Sequence, residues 1–257
     1  MQNIDLFVLL EPAVVLAFSA GLVLYWHYRH SFTKHVLLYS LLAYAGAIAA
    51  KILLQAFTYN PVSSAFGSAS PITGFYLAVQ TMAFEVGFAY LIAIYAVKHC
   101  KMTGNEAEGY GIGLAFWENG IYLGIFPIIS IVAIYSILAS GLPSANQIYS
   151  TLLVSSPQYF YSPAQLLPNI GWALLERVSS LLVHVSWGFL CVFAAFFHRK
   201  SYFLIALPMG FIDFFIIFAN ELTIPIFEII IFALSAGFLT LTLLITEDDR
   251  KKLKKSG

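Results

Sequence analysis

Seven apolar stretches, each long enough to cross a lipid bilayer, dominate this sequence of 257 residues. A transmembrane helix needs about 20 mostly apolar residues. The stretches cover residues 5–26, 36–57, 74–97, 109–139, 166–197, 201–219 and 225–246. Because a backbone inside lipid must satisfy its own hydrogen bonds, each stretch is predicted to be a helix. We therefore expect an all-α, polytopic membrane helix bundle in which residues 1–257 form a single membrane-embedded domain.

The composition supports this class. Hydrophobic residues make up 60% of the chain and charged residues 10%, whereas soluble domains carry about 25% charged residues. Such a composition excludes a disordered chain, a basic domain that binds nucleic acid and a typical cytosolic enzyme. Two cysteines, Cys100 and Cys191, give no disulfide framework. The expected partners are the lipid bilayer and a membrane protein or peptide, and no nucleic acid.

The basic residues predict the orientation. Of the thirteen lysines and arginines, eleven flank connections on one side of a seven-span bundle, whereas segments 1–4, 58–73, 140–165 and 220–224 contain none. The eleven are Arg29, Lys34, Lys98, Lys101, Arg199, Lys200, Arg250, Lys251, Lys252, Lys254 and Lys255. The positive-inside rule places the N-terminus outside and the C-terminus in the cytoplasm. We expect an integral protein of a prokaryotic plasma membrane.

Four ionisable side chains lie deep within spans 3 to 6. Each lies about 14–20 Å from the cytoplasmic end of its span, at about 1.5 Å per residue. They are Glu85, Glu118, His184 and Asp213. Ionisable groups at this depth face the bundle interior and mark functional sites. We predict that they share one cavity, reached from the cytoplasmic side, with four neighbours in supporting roles, namely Asn119, Glu176, Arg177 and Ser180.

A second pair of charges lies nearer the outer face. Glu11 and Lys51 are each about six residues, or ~9 Å, inside the outer ends of spans 1 and 2. Charges within a membrane tend to pair with one another. The sequence therefore predicts a structural ion pair between Glu11 and Lys51 on adjacent antiparallel helices.

The four deep residues allow a limited chemistry. Carboxylates and one imidazole can activate a water molecule or hold a divalent metal, for which His184, Glu118 and Asp213 are the candidate ligands. They can also bind a proton or cation, as in a transporter, or form a polar network that only orients the helices. The residues leave open whether any cofactor is bound.

Four segments in order resemble a known superfamily. Residues 84–89 resemble its first motif, a Glu-Glu pair followed by Arg or Lys. Residues 111–119 resemble the GxGFxxxEN and GIGHGGxE runs, 174–184 the ERxxxxxxH helix, and 206–214 the AxxxHxxxDF helix. The superfamily is that of polytopic intramembrane proteases, which comprises the CAAX prenyl endopeptidases, the bacteriocin-processing CPBP proteins, and the PrsW-type and YhfC-type proteins.

The resemblance implies a hydrolase in which glutamate and histidine activate the attacking water, with a membrane protein or lipopeptide as substrate. Four positions depart from the motifs: Phe84, Ala89, Leu114 and Met209 stand where the family has Glu, Arg or Lys, His and His. These departures favour an alternative, a catalytically inactive relative (a pseudoenzyme) that serves as a membrane scaffold or substrate-binding subunit. A transporter is the third hypothesis.

The orientation is tested with the natural thiol of Cys100, which lies between Lys98 and Lys101. In intact cells we expect no reaction of Cys100 with an impermeant thiol reagent, and reaction after the cytoplasmic face is exposed. Labelling of intact cells at Cys100 would reverse the predicted topology.

Overall fold

The computed structural model describes residues 4–30, 33–140, 143–219 and 222–256. Within these residues the secondary structure is helical, with no strand. Seven helices are long and apolar enough to span a membrane, which confirms the predicted all-α bundle and its seven spans. They are α1 (Leu6–Arg29), α2 (Lys34–Phe66), α3 (Pro71–Cys100), α4 (Gly104–Ala139), α6 (Pro163–Phe196), α7 (Lys200–Phe218) and α8 (Ile224–Ile245).

Two shorter helices complete the fold. The predicted 140–165 loop contains α5 (Pro143–Ser155) and a 3₁₀ turn at Pro157–Phe160, and residues 141–142 lie outside the described part. Helix α9 (Glu247–Ser256) follows the last span. The sequence explains where α6 starts, because Ser162 and Gln165 form a capping box and Pro163 occupies the first turn.

Helix α6 is the centre of the bundle. In its most apolar stretch 72% of the residues are buried, compared with 17% to 33% in the other spans. It packs mainly against α4 and α8, and also against α3 and α7. The largest apolar core surrounds its second half and includes Tyr110, Leu190 and Phe193, all fully buried. Side chains of α6 can therefore meet side chains of several other spans.

The connections that carry the basic residues meet at one end of the bundle, which we call the basic end. There the Thr33 hydroxyl, before α2, donates to Glu106 at the start of α4 at 2.8 Å. The N-terminal residues pack at the other end, which we call the opposite end, in a smaller apolar cluster with Ile131, Leu138 and Leu166. The alternation of the seven spans is thus visible in the contacts of their ends.

Helix α9 covers the basic end. The buried carboxylate of Asp249 accepts hydrogen bonds from Arg199 at 2.7 Å, from the Tyr202 hydroxyl at 2.6 Å and from Lys252 at 2.7 Å. Burial alone would raise the pKa of Asp249, but these partners outweigh it and hold the pKa below its usual value. Because the ionised form is favoured, Asp249 fixes α9 onto the bundle at neutral pH.

Three spans contain irregular helical turns. Thr81–Val86 in α3 and Phe116–Ile125 in α4 are π-helical, and Leu207–Phe218 in α7 is 3₁₀-helical. Two of them have a cause in the sequence: Pro127 follows the α4 segment and Pro208 opens the α7 segment. Proline removes one intrahelical donor and clashes with the preceding turn, which favours such local changes.

Helices α4 and α6 cross at a pair of glycines. A Cβ atom on Gly111 would lie 2.5 Å from the Val185 Cα and 2.9 Å from the His184 carbonyl oxygen, and one on Gly188 would lie 2.7 Å from the Gly111 Cα. Backbone therefore touches backbone here, as small residues permit in membrane bundles. This crossing sets the position of His184.

The close crossing at Gly111 predicts that one added methyl group destabilises the protein strongly. Gly111→Ala should destabilise the protein in detergent by about 1–3 kcal/mol or more, because overpacking forces two backbones apart. Gly237→Ala is the control, since a Cβ there has nothing within 4 Å; it should be neutral or stabilising. Equal thermal unfolding midpoints for the two variants would contradict this packing.

Candidate functional site

A cavity of about 370 Å³ lies between the spans, lined by residues of α2, α3, α4, α6, α7 and α8. The four side chains that the sequence places at one depth all line it: Glu85, Glu118, His184 and Asp213. Of the supporting residues, Glu176, Arg177 and Ser180 also line the cavity, and Asn119 is buried behind it. The site thus draws side chains from spans that are far apart in sequence.

The cavity does not lie towards the basic end. Its lining extends along α6 from Trp187 back to Glu176 and along α8 at Phe227 and Ile231, which is the half of these helices nearer the opposite end. Towards the basic end the space is filled by Tyr110 and Phe193. The cavity therefore lies nearer the opposite end, whereas the sequence predicts a site reached from the cytoplasmic side; depth alone does not show which end the core fills.

An imidazole faces two carboxylates at the centre of the site. His184 Nε2 lies 3.0 Å from Glu118 Oε2 and 3.7 Å from Glu85 Oε2. The other ring nitrogen, Nδ1, lies 2.8 Å from the carbonyl oxygen of Ser180, so it carries the proton that this oxygen accepts. A lone pair on Nε2 would repel both carboxylates. The arrangement therefore calls for a positive charge between them, either a proton on Nε2 or a metal ion.

Lys51 belongs to this site. Its ammonium lies 2.5 Å from Glu85 Oε1, 2.8 Å from Thr81 Oγ1 and 3.4 Å from Asp213 Oδ2, and Thr81 also donates to Asp213. The predicted Glu11–Lys51 ion pair is wrong: Lys51 pairs with Glu85 and Asp213 instead. The lysine thus joins α2, α3 and α7.

The position of α1 explains why Glu11 does not pair with Lys51. Although α1 precedes α2 in sequence, it packs against the π-helical part of α4 and against α6. Glu11 therefore lies beside Glu176 and Arg177, in a second cavity of about 320 Å³. The expectation failed because equal depth on consecutive spans does not make two helices neighbours.

Arg177 connects α4 to α6. Its guanidinium donates to Asn119 Oδ1 at 3.0 Å and to Glu176, and it lies 3.8 Å from Glu118 Oε1. In return Asn119 Nδ2 donates to the Arg177 carbonyl oxygen at 3.3 Å. Arg177 and Asn119 are buried, Glu118 is partly buried and Glu176 is exposed. The arginine therefore restrains Glu118 from the side facing away from His184.

The three acidic residues that surround His184 and Lys51 lie on the irregular turns, whereas Glu176 lies on regular α-helix. Glu85 is in the π-helical segment of α3, Glu118 in that of α4, and Asp213 in the 3₁₀ segment of α7. The basic partners Lys51, Arg177 and His184 lie on regular α-helix. Irregular helical turns are frequent at functional sites, because they turn side chains away from their regular positions.

Ligand atoms of Glu85, Glu118 and His184 lie within 4.8 Å of one another, close enough to hold one metal ion. The set differs from the predicted one, His184, Glu118 and Asp213. Glu85 takes the place of Asp213, because its Oε2 lies 3.7 Å from His184 Nε2 while its Oε1 contacts Lys51. One imidazole and two carboxylates suit divalent ions that accept nitrogen and oxygen ligands. The Ser180 carbonyl, bonded to Nδ1, leaves Nε2 available to such an ion.

The contacts of Lys51 predict that the stability of the protein depends on this buried side chain. Lys51→Met should destabilise the protein by ~3–5 kcal/mol, because it removes the ammonium that Glu85 and Asp213 share in the interior. Adding Asp213→Asn should restore part of that loss, whereas adding Glu11→Gln should give an additive effect. The measurement is thermal or denaturant unfolding in detergent. Coupling of Lys51 to Glu11, with none to Asp213, would support the pair that the structure rejects.

Comparison with known protein families, curated proteins and solved structures finds no match to this chain.

Proposed function

We propose that the protein is a membrane-embedded hydrolase of the peptidase type, related to the CAAX-protease-like superfamily that its four sequence segments resemble. One observation carries the proposal. A histidine and two glutamates from three different spans converge, at 3.0 and 3.7 Å, on a cavity among the membrane-spanning helices. Enzymes commonly use buried acid and imidazole groups in a cleft to move protons to and from a water molecule.

Glu118 is the general base in this proposal. Its side chain is 23% exposed, compared with 11% for Glu85, so it has more open contact with the cavity. It takes a proton from the attacking water, whose oxygen bonds to the scissile carbonyl carbon. A proton on His184 Nε2 then passes to the leaving amine as the carbon–nitrogen bond breaks. Arg177, 3.8 Å from Glu118, stands where it can stabilise developing negative charge.

The other residues hold this arrangement in place. Lys51 fixes Glu85 on one side of His184, while the carbonyl of Ser180 fixes the orientation of the ring. A divalent metal would be held by Glu85, Glu118 and His184, and when bound it would supply a Lewis acid and lower the pKa of a water ligand. The positioning roles of Lys51 and Ser180 are the same with or without it.

The size of the cavity limits the substrate. One helical turn with its side chains, ~5.4 Å long and ~10–12 Å wide, fills ~400–600 Å³. The cavity holds about 370 Å³. A membrane protein or lipopeptide would therefore bring only a short segment, of about one helical turn, to Glu118.

The orientation belongs to the same proposal. With the C-terminus in the cytoplasm of a prokaryotic cell, the basic end lies inside and the cavity lies in the outer half of the membrane. The basic connections that meet around Glu106 and the basic helix α9 support this placement.

An inactive relative is the second candidate, and it also has a specific observation in its favour. Leu114 and Met209, at positions where the family carries histidine, are 3% and 1% exposed and belong to the apolar core. The substitutions are thus accommodated by packing rather than compensated by another imidazole. A transporter is less well supported, because α3, α4 and α7 remain continuous through their irregular turns instead of breaking into half-helices.

The hydrolase is tested with purified protein in detergent and a quenched fluorescent peptide that carries a membrane-spanning sequence, with and without added divalent ions. Glu118→Gln and His184→Ala should each lower the cleavage rate by about 10²–10⁴-fold, because each removes a proton-transfer group. Glu228→Gln is the matched control, since this buried carboxylate on α8 lies outside the residues lining the cavity. It should keep the wild-type rate.

A wild-type rate that Glu118→Gln leaves unchanged contradicts the hydrolase. If, in addition, a cellular phenotype of gene deletion is rescued by Glu118→Gln but not by the cavity-filling change Ser180→Trp, the inactive relative is supported instead.

A further inference from the structure

The second cavity adjoins the first. It has a volume of about 320 Å³ and lies between α1, α4, α6 and the turn Pro157–Phe160. Three residues line both cavities: Leu123, Glu176 and Arg177. These three side chains therefore stand between the two spaces, and we call them the constriction; it lies directly beside Glu118, which is 3.8 Å from Arg177.

The second cavity carries polar groups along its length, between apolar residues such as Val8, Val15 and Ile131. Gln158 is exposed at the opposite end, Tyr159 follows it, and Glu11 and Glu176 bring carboxylates further inside. Ionisable groups within a membrane bundle line polar, hydrated paths, because lipid solvates them poorly. Its volume would hold roughly ten water molecules at ~30 Å³ each.

The remaining sides of the site are less suited to water. Towards α7 and α8 the first cavity is lined by Ile212, Ile216, Phe227 and Ile231, and the charged group there, Asp213, is engaged by Lys51 and Thr81. At the basic end the apolar core and α9 close the bundle. The second cavity, with its polar groups, and the apolar side of the first cavity thus lie in different directions from the Glu118–His184 pair.

We infer that the second cavity is the aqueous entrance of the site, through which water and small hydrated ions pass from the opposite end of the bundle to Glu118. The constriction of Leu123, Glu176 and Arg177 controls this passage. The apolar side of the first cavity, between α7 and α8, faces lipid rather than water. The use made of the water rests on the proposed function, but the entrance itself does not.

The test is cysteine labelling in proteoliposomes with an impermeant, cationic methanethiosulfonate. Since only the thiolate reacts, and it forms in water rather than in lipid, labelling reports hydration. The background carries Cys100→Ser and Cys191→Ala. Ala173→Cys places a thiol in the second cavity and Ser180→Cys places one in the first.

The matched control is Ala133→Cys. Ala133 is exposed on α4 and thus faces lipid. It lies ~9 Å from the Ala139 end, whereas Ala173 lies ~15 Å from the Pro163 end of α6. A reagent that merely penetrated to a given depth would therefore reach the control first.

We expect Ala173→Cys and Ser180→Cys to react at least about 10-fold faster than Ala133→Cys, with reagent on the side of the opposite end. Leu123→Trp should fill the constriction, slow Ser180→Cys by about 10-fold or more and leave Ala173→Cys unchanged. Leu123→Phe serves in its place if the tryptophan variant does not elute as a monodisperse protein.

Three results overturn the inference: equal rates for Ala173→Cys and Ala133→Cys, full labelling of Ser180→Cys behind the plug, or labelling only from the basic end. The two proposals fail separately. A protein that labels as expected but cleaves no peptide loses the hydrolase and keeps the entrance, and one that cleaves but resists labelling does the reverse.

Discussion

The need to partner charge away from water organises this bundle. Lys51 is an ammonium within a span, and its contacts with Glu85, Thr81 and Asp213 tie α2 to α3 and α7. Arg177 does the same between α6 and α4 through Asn119 and Glu118. Because unpaired charges are costly in this environment, these contacts fix the relative rotation of five spans. The acidic and imidazole groups of the site are held by the same contacts.

The spans and the depth of the site can be predicted from the sequence, because both depend on properties that add up residue by residue along the chain. Apolar runs define helices, and a constant rise per residue places Glu85, Glu118, His184 and Asp213 at similar depth. Partner choice is different, since it depends on which helices touch. Glu11 and Lys51 have matching depth and opposite charge, but α1 packs beside α4 and α6 rather than α2.

The irregular turns were beyond sequence reasoning for a related physical reason. Pro127 indicates some disturbance in α4, but it does not specify a π-helix over Phe116–Ile125, and no proline lies within Thr81–Val86. Such turns persist where tertiary contacts stabilise them. Here Thr81 and Glu85 bind Lys51, so the local geometry of α3 depends on a residue thirty positions away. Because this local geometry also directs the Glu85 side chain, Glu85 rather than Asp213 lies beside His184.

Helix α9 couples the last residues of the chain to its middle. Asp249 binds Arg199 and Tyr202, and a Cβ on Gly104 would lie 2.7 Å from Leu253. During synthesis these contacts cannot form until α9 has left the ribosome. The basic end therefore stays unsealed until α9 follows the last span out of the ribosome, and α9 sets the moment at which this end closes. A fusion joined directly after α9 would act on this last assembly step.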